Sequence, residues 1–293
     1  MFEMGTKTKG VLAIFGASFM WALEPIFAKL AYRGSDFLQT SAILAISVAA
    51  IAFVYVLVTN KADFRVNRKQ FSVLVYIALA GTVFADLLYL FALGKIPVIN
   101  AVLIAHLQPI FVVLMGYFVL REDKLGSYDY LGVAVMIAAG LLVTTKTWAN
   151  FAAMRFGTTG DLIVLLAVVA WSTTGIAMRK YLRELNAGVI TFYRFSMAAV
   201  VLVGYVSSTG GLVLSNVYQV LVGMVAGVGM ILYYESLKRI KAAQVSALEL
   251  STLFFATVLG FLVLGESATI MQILGMVFMF AGVYFLSGKA GQE

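Results

Sequence analysis

Long apolar stretches, separated by short polar segments, run along almost the whole chain. A helix that crosses the hydrocarbon core of a bilayer needs about 20 predominantly apolar residues. Ten stretches meet that requirement, and the sequence therefore predicts ten transmembrane helices. Their predicted bounds are 10–32, 37–59, 70–93, 97–120, 127–146, 160–182, 188–208, 217–237, 243–264 and 268–287.

The second half of the sequence repeats the first. The segment GVLAIFGASFMW at 10–21 aligns with GDLIVLLAVVAW at 160–171, and LQPIFVVLMGYFVLRED at 107–123 aligns with STLFFATVLGFLVLGES at 251–267. Each predicted half holds five spans, an odd number, so the second half enters the membrane in the opposite direction. The predicted fold is an all-α polytopic membrane protein with ten transmembrane helices in two inverted five-helix repeats around a central cavity. The predicted ranges are 8–147 for the first repeat, 148–159 for an outer linker and 160–288 for the second repeat.

Composition and charge support a membrane protein. Of the 293 residues, 62% are hydrophobic and 12% are charged, whereas soluble domains have roughly 45–50% apolar and about 25% charged residues. Most of the 21 lysine and arginine residues fall on the side of the membrane that holds both termini, which predicts cytoplasmic termini. The net charge of +7 is therefore attributed to basic loops at one membrane face, and no nucleic-acid partner is expected.

Trp21 and Trp171 lie deep in the first span of each half, and an apolar–Gly–Glu sequence ends the ninth span, with Arg121 in place of the glycine after the fourth. Together with the duplication, these features resemble the EamA-type group of the drug/metabolite transporter superfamily. The resemblance covers nearly the whole chain. It implies an exporter of amino acids, drugs or other metabolites in the inner or plasma membrane, without ATP. We expect no cofactor, and either a monomer or a homodimer.

Ionisable side chains inside the predicted spans mark candidate functional positions, because a buried charge is costly unless it is protonated, paired or hydrated. At 1.5 Å per residue, Glu24 lies ~21 Å and Asp86 ~24 Å from the inner surface, in an outer layer that also holds His106. Arg194 and Glu249 each lie ~9 Å from that surface, in an inner layer. We expect Arg194 and Glu249 to form an intramembrane ion pair, with substrate contact as the alternative.

Glu24 and Asp86 are the principal candidates for substrate binding or coupling. We expect them to bind protons and a cationic or amine-bearing substrate in turn. The alternative is that they are protonated and hydrogen-bond to Tyr89, Gln108 or a backbone carbonyl group freed by a nearby proline.

Three further side chains are candidates with two interpretations each. Trp21 shares a helix face with Glu24, and an indole beside a carboxylate favours a cationic amine. Trp171 is its counterpart in the sixth span, and helix packing is the alternative for both tryptophans. His106 either extends a proton path beside Asp86 or is a hydrogen-bonded packing residue. One histidine without cysteine lacks convergent ligands, so no metal site is expected.

The sequence therefore predicts a secondary transporter, an exporter of small polar metabolites such as amino acids or amines that works by alternating access. Its expected partners are a small-molecule substrate, the lipid bilayer and, as a candidate coupling ion, protons. The alternatives are an intramembrane enzyme that uses Asp86 and His106, and a membrane sensor without transport. No catalytic residue is expected, because no nucleophile motif of the G-x-S-x-G type occurs.

Overall fold

The computed structural model describes residues 6–59, 63–120, 127–155, 157–182, 184–237, 239–240, 245 and 248–287. Within these residues the chain is helical, with no β-strand. Seven helical segments are long and apolar enough to cross a membrane, and three shorter apolar helices accompany them. The two chain ends, for which the sequence predicts a cytoplasmic location, and the predicted start of the ninth span lie outside the described residues.

The described part of the first half forms seven α-helices. They are α1 (Thr6–Ala31), α2 (Phe37–Thr59), α3 (Arg68–Ile77), α4 (Leu87–Leu93), α5 (Val98–Ala105), α6 (Gln108–Met115) and α7 (Ser127–Thr145). A π-helical stretch at Ala78–Asp86 joins α3 to α4, so these three elements form one continuous apolar segment. A second π-helical stretch, Gly116–Leu120, extends α6. Helix α1 continues through Pro25, although this residue cannot donate a helical hydrogen bond.

The second half begins with a short helix in the predicted linker and continues with longer helices. They are α8 (Trp148–Ala152), α9 (Thr159–Tyr181), α10 (Ala187–Thr209), α11 (Val217–Leu237), α12 (Ser251–Leu264) and α13 (Ile270–Ser287). Helices α9, α10 and α11 each begin and end within one residue of the predicted bounds. The hydropathy pattern therefore located these helices well.

Side-chain caps define two of the helix starts. At α3, the backbone N–H of Gln70 donates to Oδ1 of Asn67, and the N–H of Asn67 donates to Oε1 of Gln70, both at 2.9 Å. Thr158 and Asp161 form the same reciprocal arrangement at the start of α9. Each pair satisfies N–H groups that have no partner within the helix, which fixes where the apolar segment begins.

The two halves interlock through their helices. Helix α1 packs along α11 and α12, α2 packs along α10 and α11, and α7 packs along α13. Helix α9 packs against the third and fourth apolar segments of the first half. Glycines permit the closest approaches: a Cβ atom on Gly132 of α7 would lie 3.0 Å from the carbonyl oxygen of Gly282 in α13. Small residues at such crossings let membrane helices pack backbone to backbone.

Two apolar segments are interrupted at equivalent positions of the sequence repeat. The fourth segment leaves the α-helix at His106 and Leu107, between α5 and α6. The described part of the ninth leaves it at Leu250, immediately before α12. Residue 250 aligns with residue 106 in the repeat. Interrupted helices at membrane depth are tolerated where they are buried in protein or line a cavity, and in transporters they often form binding sites.

Candidate functional site

An ion pair inside the apolar segments joins the two halves. Nη2 of Arg194, in α10, lies 3.0 Å from Oδ2 and 3.2 Å from Oδ1 of Asp86, the last residue of the first π-helical stretch. Only 9% of the Arg194 side chain and 20% of the Asp86 side chain are exposed. A charge pair so shielded from water interacts more strongly than a surface pair, and removing one partner would leave the other charge uncompensated.

The π-helical stretch supplies a further contact to the same arginine. Nε of Arg194 donates a 2.7 Å hydrogen bond to Oγ1 of Thr82, which precedes Asp86 by four residues. Gly81 permits the approach, because a Cβ atom there would lie 3.2 Å from Nη2 of Arg194. π-Helical turns occur mostly at functional sites, and here the turn directs a hydroxyl group and a carboxylate towards one guanidinium group.

Trp171 of α9 completes this group of side chains. Its indole N–H donates a 2.6 Å hydrogen bond to Oδ1 of Asp86, and its ring centroid lies 5.4 Å from that of Tyr89. We call Thr82, Asp86, Trp171 and Arg194 the central polar cluster. Both oxygens of Asp86 are hydrogen-bonded within it, so the position of this carboxylate is tightly defined.

Glu24 of α1 lies beside the central polar cluster without joining its hydrogen bonds. The charges of Asp86 and Arg194 both act on it, and its own charge acts on Tyr89. Its carboxylate nevertheless forms no hydrogen bond or ion pair with any residue that the structure describes. Nη1 of Arg194 likewise has no hydrogen-bond acceptor among those residues. The cluster therefore presents one free carboxylate and one free guanidinium edge.

The predicted ion pair between Arg194 and Glu249 is wrong, because Arg194 pairs with Asp86. The predicted depths assumed straight helices perpendicular to the membrane. In the structure the π-helical stretch Ala78–Asp86 packs directly against α10, so that Gly81 and Thr82, and not only Asp86, lie beside the Arg194 guanidinium group. The long arginine side chain spans the remaining difference in height. The two predicted layers of charge are thus not separate at this point.

Trp21 lies in a packed interface between α1 and α11. Its ring centroid is 5.2 Å from that of Tyr233, and a Cβ atom on Gly229 would lie 2.7 Å from its Nε1 atom. The two tryptophans that the repeat aligns therefore have different surroundings. Trp171 belongs to the central polar cluster, whereas Trp21 packs against Gly229 of α11. Trp21 is half-buried, and its contacts with Tyr233 and Gly229 are packing contacts, so both interpretations of this residue stay predictions.

His106 and Gln108 mark the interruption of the fourth apolar segment. Nδ1 of His106 lies 2.8 Å from the carbonyl oxygen of Val102, one turn earlier in α5. Neither His106 nor Gln108 forms a hydrogen bond with Asp86. The structure thus brings Asp86 together with Arg194 and Trp171, and leaves the histidine bonded to its own helix.

Comparison with known families shows the class of protein. The model of the EamA-like transporter family matches residues 8–145 and 158–288. The chain belongs to the EamA-like transporter family. The resemblance predicted from the sequence is confirmed, and the protein is a multi-pass membrane transporter by family and by its apolar helices.

Several named proteins are similar to this EamA-like transporter. An uncharacterized transporter of Methanothermobacter thermautotrophicus is 28% identical over 78% of this chain and 67% of its own length. YyaM, an uncharacterized transporter of Bacillus subtilis, is 24% identical over 84% of this chain and 81% of its own. YhbE, an uncharacterized inner membrane transporter of Escherichia coli K12, is 25% identical over 85% and 81%. A crystal structure with 17% identity matches 98% of this chain and 100% of its own with a TM-score of 0.68, which shows a shared fold.

Two features of this EamA-like transporter were missed by sequence reasoning. Thr82 could have been found, because residues four apart on a helix share a face and Asp86 had been identified. The second feature joins residues far apart in the chain. Glu266, after α12, accepts backbone hydrogen bonds from Val98 and Ile99 at the start of α5 at 3.0 and 3.2 Å, and pairs with Lys29 of α1 at 3.0 Å. No local pattern indicates that contact.

Candidate metal ligands do not converge in the part of the chain that the structure describes. No three histidine, cysteine, aspartate or glutamate side chains there come close enough to hold one ion. Transition metals and Ca²⁺ are bound by several such ligands at a defined geometry.

Proposed function

We propose that this EamA-like transporter exports amino acids or amines across the inner membrane by alternating access, with the central polar cluster and Glu24 as the substrate site. Protons are the coupling ion in this proposal. Export and proton coupling follow from the sequence prediction. The inner membrane is supported by the E. coli relative YhbE, which is named as an inner membrane transporter.

The observation that carries the proposal is the pair of free groups at the cluster. The carboxylate of Glu24 has no partner among the described residues, and Nη1 of Arg194 has no acceptor there. A carboxylate binds an ammonium group, and a guanidinium edge binds a carboxylate with charge-assisted hydrogen bonds. An amino acid carries both an ammonium group and a carboxylate, and an amine carries the ammonium group that Glu24 would bind. A purely anionic substrate would meet two carboxylates for one arginine.

Glu24 is the proposed exchange group. Because the charges of Asp86 and Arg194 both reach it, its protonation is linked to the state of the ion pair. If this carboxyl group binds either a proton or the ammonium group of a substrate, proton movement and substrate movement are coupled at one site. Asp86 has a different role in this proposal, since its two oxygens are already bonded to Arg194 and Trp171. It holds the guanidinium group in place.

The pattern of helix contacts supports the proposed inverted repeat. In the repeat, α1 corresponds to α9, α2 to α10, the α3–α4 segment to α11, the α5–α6 segment to α12, and α7 to α13. Exchanging each helix with its counterpart converts the packing of α1 on α11 into that of α9 on the α3–α4 segment. It likewise converts α2 on α11 into α10 on the α3–α4 segment, and leaves α7 on α13 unchanged. Such exchange symmetry is expected of two related halves around a central site.

The geometry gives less support to an intramembrane enzyme. That alternative required Asp86 and His106 to act together as acid and base. Asp86 is hydrogen-bonded to Arg194 and Trp171, while His106 contacts the carbonyl oxygen of Val102. Neither side chain is positioned by the other, as an acid–base pair would require. Chemical analysis of the substrate after transport separates the two activities.

Counterflow in proteoliposomes tests the proposal. Proteoliposomes that contain the wild-type protein are loaded with unlabelled amino acids, with the corresponding decarboxylated amines or with the deaminated carboxylic acids. Uptake of the labelled compound is then measured with and without a pH gradient. We expect counterflow with amino acids or amines and none with the carboxylic acids. Arg194→Lys keeps the positive charge and removes the free edge, so it should reduce amino-acid counterflow more than amine counterflow.

The matched variants for coupling are Glu24→Gln and Glu184→Gln, since Glu184 is an exposed residue between α9 and α10. Glu24→Gln should abolish the effect of the pH gradient, and Glu184→Gln should leave it unchanged. Counterflow restricted to carboxylic acids would contradict the proposed substrate class. Full proton dependence in Glu24→Gln would contradict the role of Glu24.

A further inference from the structure

A second acidic side chain inside the apolar segments lacks a partner. Glu249 lies in the ninth segment, immediately before its interruption at Leu250. Glu249 is half-buried, and its carboxylate forms no hydrogen bond or ion pair with a described residue. A carboxylate at membrane depth requires a compensating cation, a proton or water. Lysine and arginine side chains of the described chain do not supply that charge here.

Two hydroxyl groups next to Glu249 are also buried without partners. Oγ of Ser251 and Oγ1 of Thr252 have no hydrogen bond with any described residue, and Thr252 is 2% exposed. Thr252 follows Glu249 by three residues, and Leu250 between them keeps an αR backbone conformation (φ −59°, ψ −15°), so the two side chains lie about one turn apart on the same side of the chain. A buried hydroxyl group without a hydrogen bond is costly, and native proteins rarely contain one unless a ligand, ion or water satisfies it.

Helix α1 contributes an oxygen to the same place. Ser18 is fully buried, and its Oγ atom lies 3.3 Å from the backbone carbonyl oxygen of Glu249. That separation is long for an O–H donor. Oxygen ligands lie roughly 2.3–2.6 Å from a cation the size of Ca²⁺, so two ligands at a right angle are about 3.4 Å apart. Na⁺ has nearly the same radius and the same preference for oxygen.

We propose that Ser18, Glu249, Ser251 and Thr252 form a binding site for one sodium ion at the interruption before α12. The ligands are a carboxylate, hydroxyl groups and a backbone carbonyl group, all of them oxygen atoms of the kind that hard cations prefer. Backbone carbonyl groups at helix interruptions hold Na⁺ in transporters with discontinuous helices. One carboxylate matches one positive charge. A divalent cation would need more acidic ligands, and the described residues contain no group of three histidine, cysteine, aspartate or glutamate side chains that could hold a metal ion.

The position of the site gives it a functional consequence. It joins α1 to α12, and α1 also carries Glu24 of the substrate site, six residues after Ser18 and about 9 Å further along the helix. An ion held between α1 and α12 fixes the position of α1 and thereby the distance of Glu24 from Arg194. The equivalent interruption in the first half has Ala105, Leu107 and Gln108 at the positions of Glu249, Ser251 and Thr252, so the site occurs once.

Binding to the purified protein in detergent tests the proposal without any transport measurement. The first readout is the unfolding temperature in NaCl, KCl or N-methyl-D-glucamine chloride at constant ionic strength. The second is equilibrium binding of ²²Na⁺. We expect a saturable rise in unfolding temperature with Na⁺ alone, and one ²²Na⁺ ion bound per chain. Glu249→Gln and Thr252→Val should abolish both signals, Thr252→Ser should keep them, and the exposed control Glu184→Gln should leave them unchanged.

Several outcomes would overturn the sodium site. The first is an equal rise in unfolding temperature with K⁺ and with Na⁺. The second is an absence of ²²Na⁺ binding to folded wild-type protein, and the third is full ²²Na⁺ binding to folded Thr252→Val. If Glu249→Gln does not fold, Ser18→Ala and Thr252→Val carry the test. Failure of this proposal is distinguishable from failure of the proposed function, because ²²Na⁺ binding requires no substrate and amino-acid counterflow can be measured in sodium-free buffer.

Discussion

Nη2 of Arg194 lies within 3.2 Å of both carboxylate oxygens of Asp86, and this contact links α10 of the second half to the third apolar segment of the first. The pair is partly buried, Trp171 donates a further hydrogen bond to it and Thr82 accepts one from it, so most of its hydrogen bonds are to protein groups. An ion pair between the halves stabilises one relative position of them. It also leaves one edge of the guanidinium group available.

Breaking this pair on one side is expected to destabilise the protein. Asp86→Asn should cost about 3–5 kcal/mol, because Arg194 would remain charged and uncompensated. The double variant Asp86→Leu/Arg194→Met removes both charges and should recover most of the stability without recovering transport. Denaturation of the purified protein measures both changes. A single variant as stable as wild type would show that the pair does not form.

The packing of Trp21 on Gly229 predicts a steric effect. A Cβ atom on Gly229 would lie 2.7 Å from Nε1 and 2.8 Å from Cδ1 of the indole. Gly229→Ala should therefore cost about 1–3 kcal/mol, which is typical of overpacking. Gly204→Ala is the matched control, since nothing lies within 4 Å of its added Cβ atom. Combining Gly229→Ala with Trp21→Phe should restore stability, and an additive loss would contradict the contact.

Glu266 should contribute more to stability than its ion-pair partner Lys29. The salt bridge is partly exposed, at 23% and 14% of the two side chains, and such pairs contribute about 0–1 kcal/mol. The carboxylate also accepts hydrogen bonds from Val98 and Ile99, and bonds to charged groups contribute about 1.5–3 kcal/mol. Lys29→Met is thus expected to cost under about 1 kcal/mol, and Glu266→Ala more than about 2 kcal/mol. The reverse order in unfolding measurements would contradict this account of the contact.

The proposed inverted topology predicts opposite labelling of two loops. The chain has no cysteine, so single cysteines can be introduced without background. Ala149→Cys, in the exposed linker helix α8, should react with a membrane-impermeant maleimide added to intact cells. Asp63→Cys, in the exposed segment before α3, should react only after permeabilisation. Labelling of both positions from the same side would contradict two oppositely oriented halves.

Sequence reasoning located the helices and most of the charged candidates, but not their partners. Runs of about 20 apolar residues require membrane burial wherever the helices pack, which explains the accurate bounds of α9, α10 and α11. The partner of Arg194 depends on how the π-helical stretch Ala78–Asp86 packs against α10, and no local pattern encodes that packing. Glu266 and Lys29 are separated by 237 positions, so their contact depends on the assembled fold. The different environments of Trp21 and Trp171 follow from their neighbours in other helices.

Access of water and substrate to the central polar cluster is the central claim of this account. Gly175 lies one turn after Trp171 on α9, and a Cβ atom there meets nothing within 4 Å, so a cysteine at this position can be accommodated beside the cluster. The decisive measurement is the rate at which Gly175→Cys reacts with a water-soluble methanethiosulfonate in proteoliposomes. The account predicts a measurable rate that falls when a transported amino acid or amine is added. Reaction with lipid-soluble reagents alone, or a rate unaffected by any substrate that shows counterflow, would contradict it.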